Sequence, residues 1–458
     1  MDLKLTLAIL IGKLVSSINK IKGTGATAAP GLYALKIDPN LVSKITQKNK
    51  LQSIIVSGTN GKTTTSRLIS EILSTKFKLI HNRQGSNLLR GVASTLISQS
   101  SLAGDINADL CLWEADEASL TSIAENTNPK AVVLLNLFRD QLDRYGEIDT
   151  TRKKWQTVLG SLNKDCTLIS NADDPNINFI SKATKAKKVF FGIGTQKINL
   201  PDIENIADVK FCPNCSKKLE YLKLYSAHLG TYKCTNCSFK RKKPAISAQT
   251  LNFKSDFSTE LVLEVNGQSL NIHYPLPGLF NVYNVLAAAT VANTLGLDPK
   301  NTKTSIEEFS AAFGRFQKVK IAGKQVLIFL IKNPAGANEV LRTIKTQNNL
   351  NLLVILNDNI ADGRDVSWIW DTNWEALNKQ IANIDVSGTR ALDLALRLKY
   401  AGFKIDQNYV HEDLNSSIDQ ALSKLDKNDT LYILPTYTAL ICLQDYLKSK
   451  GVASWQNQ

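Results

Sequence analysis

Apolar residues fall in two rhythms along the chain. Short unbroken runs alternate with stretches that repeat every three to four residues, so buried strands alternate with amphipathic helices. Ile54 to Val56, Asp109 to Trp113, Ala131 to Leu135 and Thr167 to Ser170 read as strands. This is the pattern of a mostly parallel sheet covered by helices. Residues 205–245 interrupt it with polar, lysine-rich sequence. The rhythm resumes with a strand, Leu261 to Val265, and a helix, Val282 to Leu295. A boundary falls near Phe313-Gly-Arg315, followed by strands at Val326 to Ile331, Leu352 to Leu356 and Thr430 to Leu434. The expected fold class is α/β. A central parallel-sheet domain spans 49–314 with an insertion at 205–245. A second α/β domain spans 315–458, and an N-terminal helix and Gly/Ala/Pro-containing connector span 1–48.

Near the N-terminus, Lys4 followed by Leu5 to Ile11 has the outline of an export signal. However, Leu7, Leu10, Ile11, Leu14, Val15 and Ile18 continue a helical stripe past Lys13. An amphipathic helix is therefore expected, packed on the body in preference to resting on a membrane. No apolar run approaches the ~20 residues that cross a bilayer.

The strand Ile54 to Val56 runs into Ser57-Gly-Thr-Asn-Gly-Lys-Thr-Thr64 and then into a helical stripe, Leu68, Ile69, Ile72 and Leu73. Glycines between a strand and a helix let backbone N–H groups surround phosphate oxygens. Gly58, Thr59, Asn60, Gly61, Lys62, Thr63 and Thr64 thus form a candidate ATP-phosphate loop. It is shorter by two residues than the general pattern. Lys62 can reach the β/γ-phosphates, and the Thr63 hydroxyl can ligate Mg²⁺. Glu114, Asp116 and Glu117 end the next predicted strand, where a carboxylate is placed to hold Mg²⁺ or a water. Glu114 is paired with Thr63 as the magnesium set, although position alone does not separate the three acids. Asn136 to Gly146 and Asn171-Ala-Asp-Asp174 end the following strands with further polar groups. Asn281 and Asn284 share a helix face, where an amide can read an adenine edge or cap the helix.

The net charge is +14 and the pI about 9.3, which suits anionic partners such as nucleotides. Cys212-Pro-Asn-Cys215 and Cys234-Thr-Asn-Cys237 lie 18 residues apart, and two such knuckles complete a Cys₄ tetrahedron for a structural Zn²⁺. The other three cysteines sit in apolar runs, and only four histidines are present. None of these has the setting of a Cys–His nucleophile. Nucleic acid is not an expected partner, because basic and aromatic residues interleave only at Phe239 to Lys243.

Gly58-Thr-Asn-Gly-Lys-Thr63, the acidic strand end, Asn136…Asp140…Asp143…Gly146, Asn171-Ala-Asp-Asp and Pro277-Gly-x-x-Asn281-x-x-Asn284 occur in the order seen in Mur ligases. The chain resembles those ATP-dependent enzymes over roughly residues 50 to 320. It departs at Gln141, where the family often has His, and at Arg152-Lys-Lys-Trp155, where amino-acid-adding members have a carbamylated lysine. Lys332-Asn-Pro-Ala-Gly336, Leu356 to Asp371 and Ser387-Gly-Thr-Arg390 resemble the MurT branch, which also carries a four-Cys ribbon. That resemblance implies ATP and Mg²⁺ as cofactors, with Arg315 added to the ATP set. It implies a heterodimer with a GatD-type glutaminase, lipid II as substrate, and amidation of the α-carboxyl of D-glutamate to D-isoglutamine. It implies a cytoplasmic location, with the substrate met at the inner membrane face. Finally, it implies that Asp365 is catalytic, completing a Cys–His pair on the glutaminase across the interface.

Overall fold

The computed structural model describes residues 2–21, 28–83, 86–139, 148–195, 197–201, 207–310 and 316–452. Three helices lead in: α1 (Leu3–Ile21), α2 (Ala29–Ile37) and α3 (Leu41–Lys48). The stretch read as a connector is therefore partly helical. Pro30 opens α2, where its missing N–H costs nothing. Val42, Ile45 and Thr46 of α3 are buried at helical spacing.

The main sheet has nine strands in the order β11-β10-β9-β6-β5-β4-β1-β3-β2. Their ranges are β1 Gln52–Ser57, β2 Leu79–His81, β3 Leu110–Glu114, β4 Pro129–Leu134, β5 Thr167–Asn171, β6 Lys187–Ile193, β9 Ile246–Phe253, β10 Thr259–Val265 and β11 Gln268–Tyr274. Pairing is parallel from β2 through β9, while β9, β10 and β11 form an antiparallel meander. Alternate side chains of β1 enter different cores. Ile54 and Val56 point one way and Ile55 the other, so the strand needs an unbroken apolar run. Helices α4 (Lys62–Ser74) and Leu279–Thr294 cover one face. The second is buried almost all round, as its even hydrophobicity requires. Helices α5 (Leu89–Gln99) and α6 (Leu120–Thr127) join α1 to α3 on the other face.

Helix α1 forms as predicted but packs by a different side. Leu5, Ala8, Ile9 and Gly12 are buried, whereas Leu7, Leu10, Leu14 and Ile18 of the predicted stripe are exposed. The small residues decide this. At Gly12 a Cβ would lie 2.8 Å from Ile97 Cδ1 of α5, a closeness that only the glycine side allows.

Between β6 and β9 lies a hairpin of β7 (Leu219–Ser226) and β8 (Leu229–Cys234). The second sheet has the order β12-β13-β17-β14-β15-β16, antiparallel only between β12 (Gln317–Ile321) and β13 (Lys324–Ile328). The others are β14 Leu350–Ile355, β15 Ile381–Ser387, β16 Val410–His411 and β17 Thr430–Pro435.

Candidate functional site

The phosphate-loop sequence sits where the main sheet changes direction. From β1 the chain moves outward to β2 and β3, then crosses back to β4 on β1's other side. The carboxyl ends of β1 and β4 thus frame a crevice, the usual ligand position in open α/β sheets. Asn60 N–H donates to Asn136 Oδ1 (2.8 Å), and Asn136 Nδ2 donates back to Asn60 O (3.0 Å). Thr59 is held to Phe138 in the same way. Gly61 has φ +86°, and a Cβ there would lie 2.3 Å from Asn284 Oδ1. The loop therefore touches the helix Leu279–Thr294 with no room for a side chain.

Lys62 Nζ donates to Glu117 Oε2 (2.8 Å) and to Gly58 O (2.6 Å), and both side chains are buried. Burial pushes the Glu117 carboxyl up, but Lys62 and Lys332 outweigh it and hold the group below the usual carboxylate value. Thr63 Oγ1 donates to Glu114 Oε1 (2.9 Å). The acids after β3 thus divide. Glu114 meets the Thr63 hydroxyl and Glu117 the Lys62 ammonium, while Asp116 backbone O receives the N–H groups of Ser119 and Leu120 at the start of α6. Trp155 Nε1 donates to Glu117 O (2.9 Å) and fixes that turn from behind. The neighbouring Lys153 and Lys154 are exposed.

Asn281 and Asn284 form a chain of amides. Asn284 Nδ2 donates to Asn281 Oδ1 (3.0 Å), Thr65 Oγ1 donates to Asn284 Oδ1 (3.1 Å), and Asn281 Nδ2 donates to Pro277 O (2.7 Å). Asn281 ties down the chain before the helix and is not its N-cap, which is Gly278. A cleft opens here, lined by Asn60, Asn136, Tyr283, Asn284, Lys332 and Glu339 among others. The second sheet's domain closes it. Lys332 Nζ donates to Thr59 O (3.3 Å), Asn333 Nδ2 to Asn60 Oδ1 (3.0 Å), and Ser226 Oγ to Glu339 Oε1 (2.6 Å). Arg315, Asp140, Gln141, Asp143 and Gly146 lie outside the described residues.

Asn171-Ala-Asp-Asp174 has another task. Its polar side chains are fully buried. Asn171 Nδ2 donates to Leu135 O (3.0 Å), and Asp174 Oδ2 receives Leu137 N–H (2.8 Å). Asp173 receives Tyr283 Oη–H (2.8 Å) and the Arg241 guanidinium (2.6 Å). This cluster braces the crevice and anchors the chain beyond the hairpin.

The four knuckle cysteines converge, with all sulfurs within 4.8 Å of one another. Cys212 and Cys237 Sγ are 3.8 Å apart, and Cys215 and Cys234 Sγ 3.4 Å. A tetrahedron with Zn–S bonds of ~2.3 Å has edges of ~3.8 Å, so the set fits the ion. Backbone N–H groups of Asn236 and Cys237 point at Cys234 Sγ, as they do in thiolate knuckles. A small core of Val209, Leu219, Tyr232 and Phe239 surrounds the set.

Asp365 lies exposed on the loop after β14. Its Oδ1 receives Ser367 N–H (2.8 Å), and the Ser367 side chain together with this N–H holds the carboxyl below its usual value. Neighbouring acids are committed elsewhere. Asp358 receives Thr389 Oγ1–H and Arg390, and Asp362 receives N–H and Oγ1–H of Thr438 at the start of the last helix. Among the described residues, the hydrogen bonds to Asp365 include none from a histidine or cysteine.

Comparison with known proteins agrees with this geometry. The Mur ligase middle domain model matches residues 56–238 and 217–292, and the MurT ligase C-terminal model matches 330–440. The subunit MurT of the lipid II isoglutaminyl synthase (glutamine-hydrolyzing) from Staphylococcus aureus strain COL is 34% identical over 445 residues. The match covers 96% of this chain and 97% of that protein. The chain belongs to the MurT family. A MurT subunit from Streptococcus pneumoniae R6 is 32% identical, covering 99% of both chains. Solved structures similar in fold include a pseudomurein peptide ligase type C from Methanothermus fervidus, with TM-score 0.68, 23% identity and coverage of 89% of this chain and 80% of that one. MurF from Acinetobacter baumannii gives TM-score 0.66 at 15% identity, covering 91% and 80%.

Three polar groups of the MurT-type cleft escaped the site predicted from sequence: Lys332, Asn333 and Glu339. The signal was present, since Lys332-Asn-Pro opens a helix after a strand, and Asn333 receives Gly336 N–H as its cap. What the sequence alone could not show is that this helix start faces the phosphate loop.

Proposed function

We propose that the protein is the ATP-dependent ligase subunit of a two-component lipid II isoglutaminyl synthase. It activates the α-carboxyl of D-glutamate in the stem peptide, and ammonia from a GatD-type glutaminase then converts it to D-isoglutamine. The observation that carries the reading is the phosphate loop beside the cleft: Lys62 and Lys332 both donate to Thr59 O, Glu117 holds Lys62 in place, and Asn60 and Gly61 of the same loop line the cleft. The substrate carboxylate attacks the γ-phosphorus of ATP, forming an acyl C–O–P link and releasing ADP. Ammonia then adds at the acyl carbon, phosphate leaves, and a proton is lost to give the amide. Lys62 and Lys332 bring positive charge to the transferred phosphoryl group, where charge spreads over its oxygens. Asn281 and Asn284 position the loop against the adenine side. Mg²⁺, for which Thr63 and Glu114 supply oxygen donors, neutralises phosphate charge when bound. Zn²⁺ on the four cysteines is structural, because a closed Cys₄ set leaves no position for substrate. Asp365, exposed on its loop, reaches outward to a partner's imidazole. Orienting that ring would let its other nitrogen activate a thiol.

The test is reconstitution of the full chain with a GatD-type glutaminase, ATP, glutamine and lipid II. Replacing –OH by –NH₂ gives a small decrease in product mass. A large increase, from addition of an amino acid, would overturn the amidation reading.

A further inference from the structure

Helix α1 carries two apolar sides, and the packed core uses only one. Leu3, Leu7, Leu10, Leu14, Ile18 and Ile21 form the other, spaced by three or four residues over the whole helix. All are exposed, from 41% at Leu10 to 86% at Ile21. Isolated exposed leucines are ordinary, but a stripe of six on one helix marks an interaction surface. The charges around it are one-sided. At about 100° per residue, Lys4 falls on one border of the stripe and Lys13 and Lys20 on the other. No acidic residue occurs from Leu3 to Ile21. Asp2, just before the helix, is already paired with Lys44. Lys13 Nζ donates to Ser100 O (2.7 Å), which keeps its charge at the border. Helix α2, packed on α1, adds exposed Leu32 and Tyr33, with Lys36 5.6 Å from the Tyr33 ring.

The geometry points to α1 as an in-plane membrane anchor that seats the protein on an anionic bilayer surface. An apolar stripe bordered by lysines matches such a surface in both respects. Leucines enter the acyl boundary, while lysine ammoniums stay among the headgroup phosphates. No described helix is long and apolar enough to cross the membrane, so α1 lies along it. A second copy of this chain is a poorer occupant, since a two-fold contact would set like-charged borders against each other. The purpose of the anchor rests on the lipid-linked substrate proposed above, but the docking itself does not.

The full chain is tested by co-sedimentation with phosphatidylcholine vesicles and with vesicles in which about one third is phosphatidylglycerol. Neither contains the substrate, so the outcome bears on docking alone. Amidation of lipid II in detergent tests the functional reading separately. Binding to the anionic vesicles is expected, weakening as salt rises. It should fall by about tenfold or more in Leu7→Glu/Leu14→Glu and several-fold in Lys4→Glu/Lys20→Glu, with unchanged melting temperatures. Four results would overturn the proposal: no binding to anionic vesicles, equal binding to neutral ones, leucine variants that bind like wild type, or a stripe-dependent dimer in ultracentrifugation in place of vesicle binding.

Discussion

In the proposed reaction the ATP chemistry turns on Lys62, and its neighbours explain how it is kept in place. A long flexible amine would otherwise lose conformational freedom on reaching phosphate. Here Glu117 and Gly58 O already hold it inside the crevice. Lys62→Ala should lower the rate of ATP-dependent amidation by ~10²–10³-fold, and because it leaves the buried Glu117 carboxylate without its cation it should also lower the melting temperature, so activity is measured well below the variant's own transition. Full activity of that variant at saturating ATP would remove the loop from the mechanism. Lys332 makes a second, separable prediction. Glu117 has a depressed pKa, so its ionised form stabilises the fold above the ordinary carboxylate range, and that contribution is lost as pH falls through the depressed value. Lys332→Met removes one of the cations that depress it. The fall in melting temperature through the acid range should therefore be smaller than in wild type and level off at a higher pH, and an unchanged profile would show that Lys332 does not act on Glu117. The two lysines also mark what the sequence could reveal. Lys62 lies in a motif whose purpose is readable from its glycines. Lys332 reaches the same loop from 273 residues away. The buried Asn171-Ala-Asp-Asp174 shows the converse, since polar groups at a strand end look alike whether they face ligand or brace the backbone.

Among the elements, the strands were the most legible, because a parallel strand buried on both faces must be an apolar run, as β1, β4 and β14 are. Strands with mixed exposure were missed, including β11 and β12. Their alternation is diluted by surface lysine, glutamine and asparagine. Helix α1 was found but turned the wrong way, because leucine-rich stripes outweigh Ala8 and Gly12 in any periodicity argument. Close packing rewards the small residues instead. The convergence of the four cysteines, a set that could hold a metal ion, was legible from spacing alone. The hairpin's own core is small, so the metal should carry much of its stability. Elemental analysis should give about one zinc per chain. Chelation should raise hydrogen exchange across β7 and β8 while the main-sheet strands stay protected. Fresh reduced protein with far less zinc, or uniform loss of protection, would count against a closed structural site. A milder effect on activity is expected, transmitted through Ser226–Glu339 and Asp173–Arg241, the links from this insertion to the cleft.

At the scale of the whole molecule, the two sheets present their switch points to different tasks. The crevice between β1 and β4 faces inward, closed by Lys332 and Asn333 from the second sheet's domain. The corresponding crevice of the second sheet lies between β14 and β17, and it carries Asp362, bonded to Thr438, and beyond it the exposed Asp365. Asp362 is needed to start the last helix, and burial raises its pKa, which suits a structural acid. Asp365 is different. The Ser367 side chain and its N–H both hydrogen-bond the carboxylate, which fixes it and holds its pKa down, and the group as a whole remains exposed. A fixed, ionised and outward-facing carboxylate is suited to accept an N–H from an imidazole on another chain. Asp365→Asn keeps the size and can still accept from Ser367 through its amide oxygen. It loses the negative charge that stabilises an imidazolium and favours the productive tautomer. Glutamine hydrolysis by the assembled heterodimer should therefore fall by ~10³-fold or more, toward the ~10⁴ loss seen when a triad carboxylate becomes an amide. ATP binding and association with the glutaminase should be unchanged, because Lys62, Thr63 and the amide chain of Asn281 and Asn284 belong to the other crevice. Added ammonia should restore amidation in the variant, since the ligase cleft is intact. If the variant complex hydrolyses glutamine at the wild-type rate, Asp365 serves only to turn the loop at Ser367. If ammonia fails to rescue it, the two crevices are coupled through Asn333 and Asn60 more tightly than their separate chemistry requires.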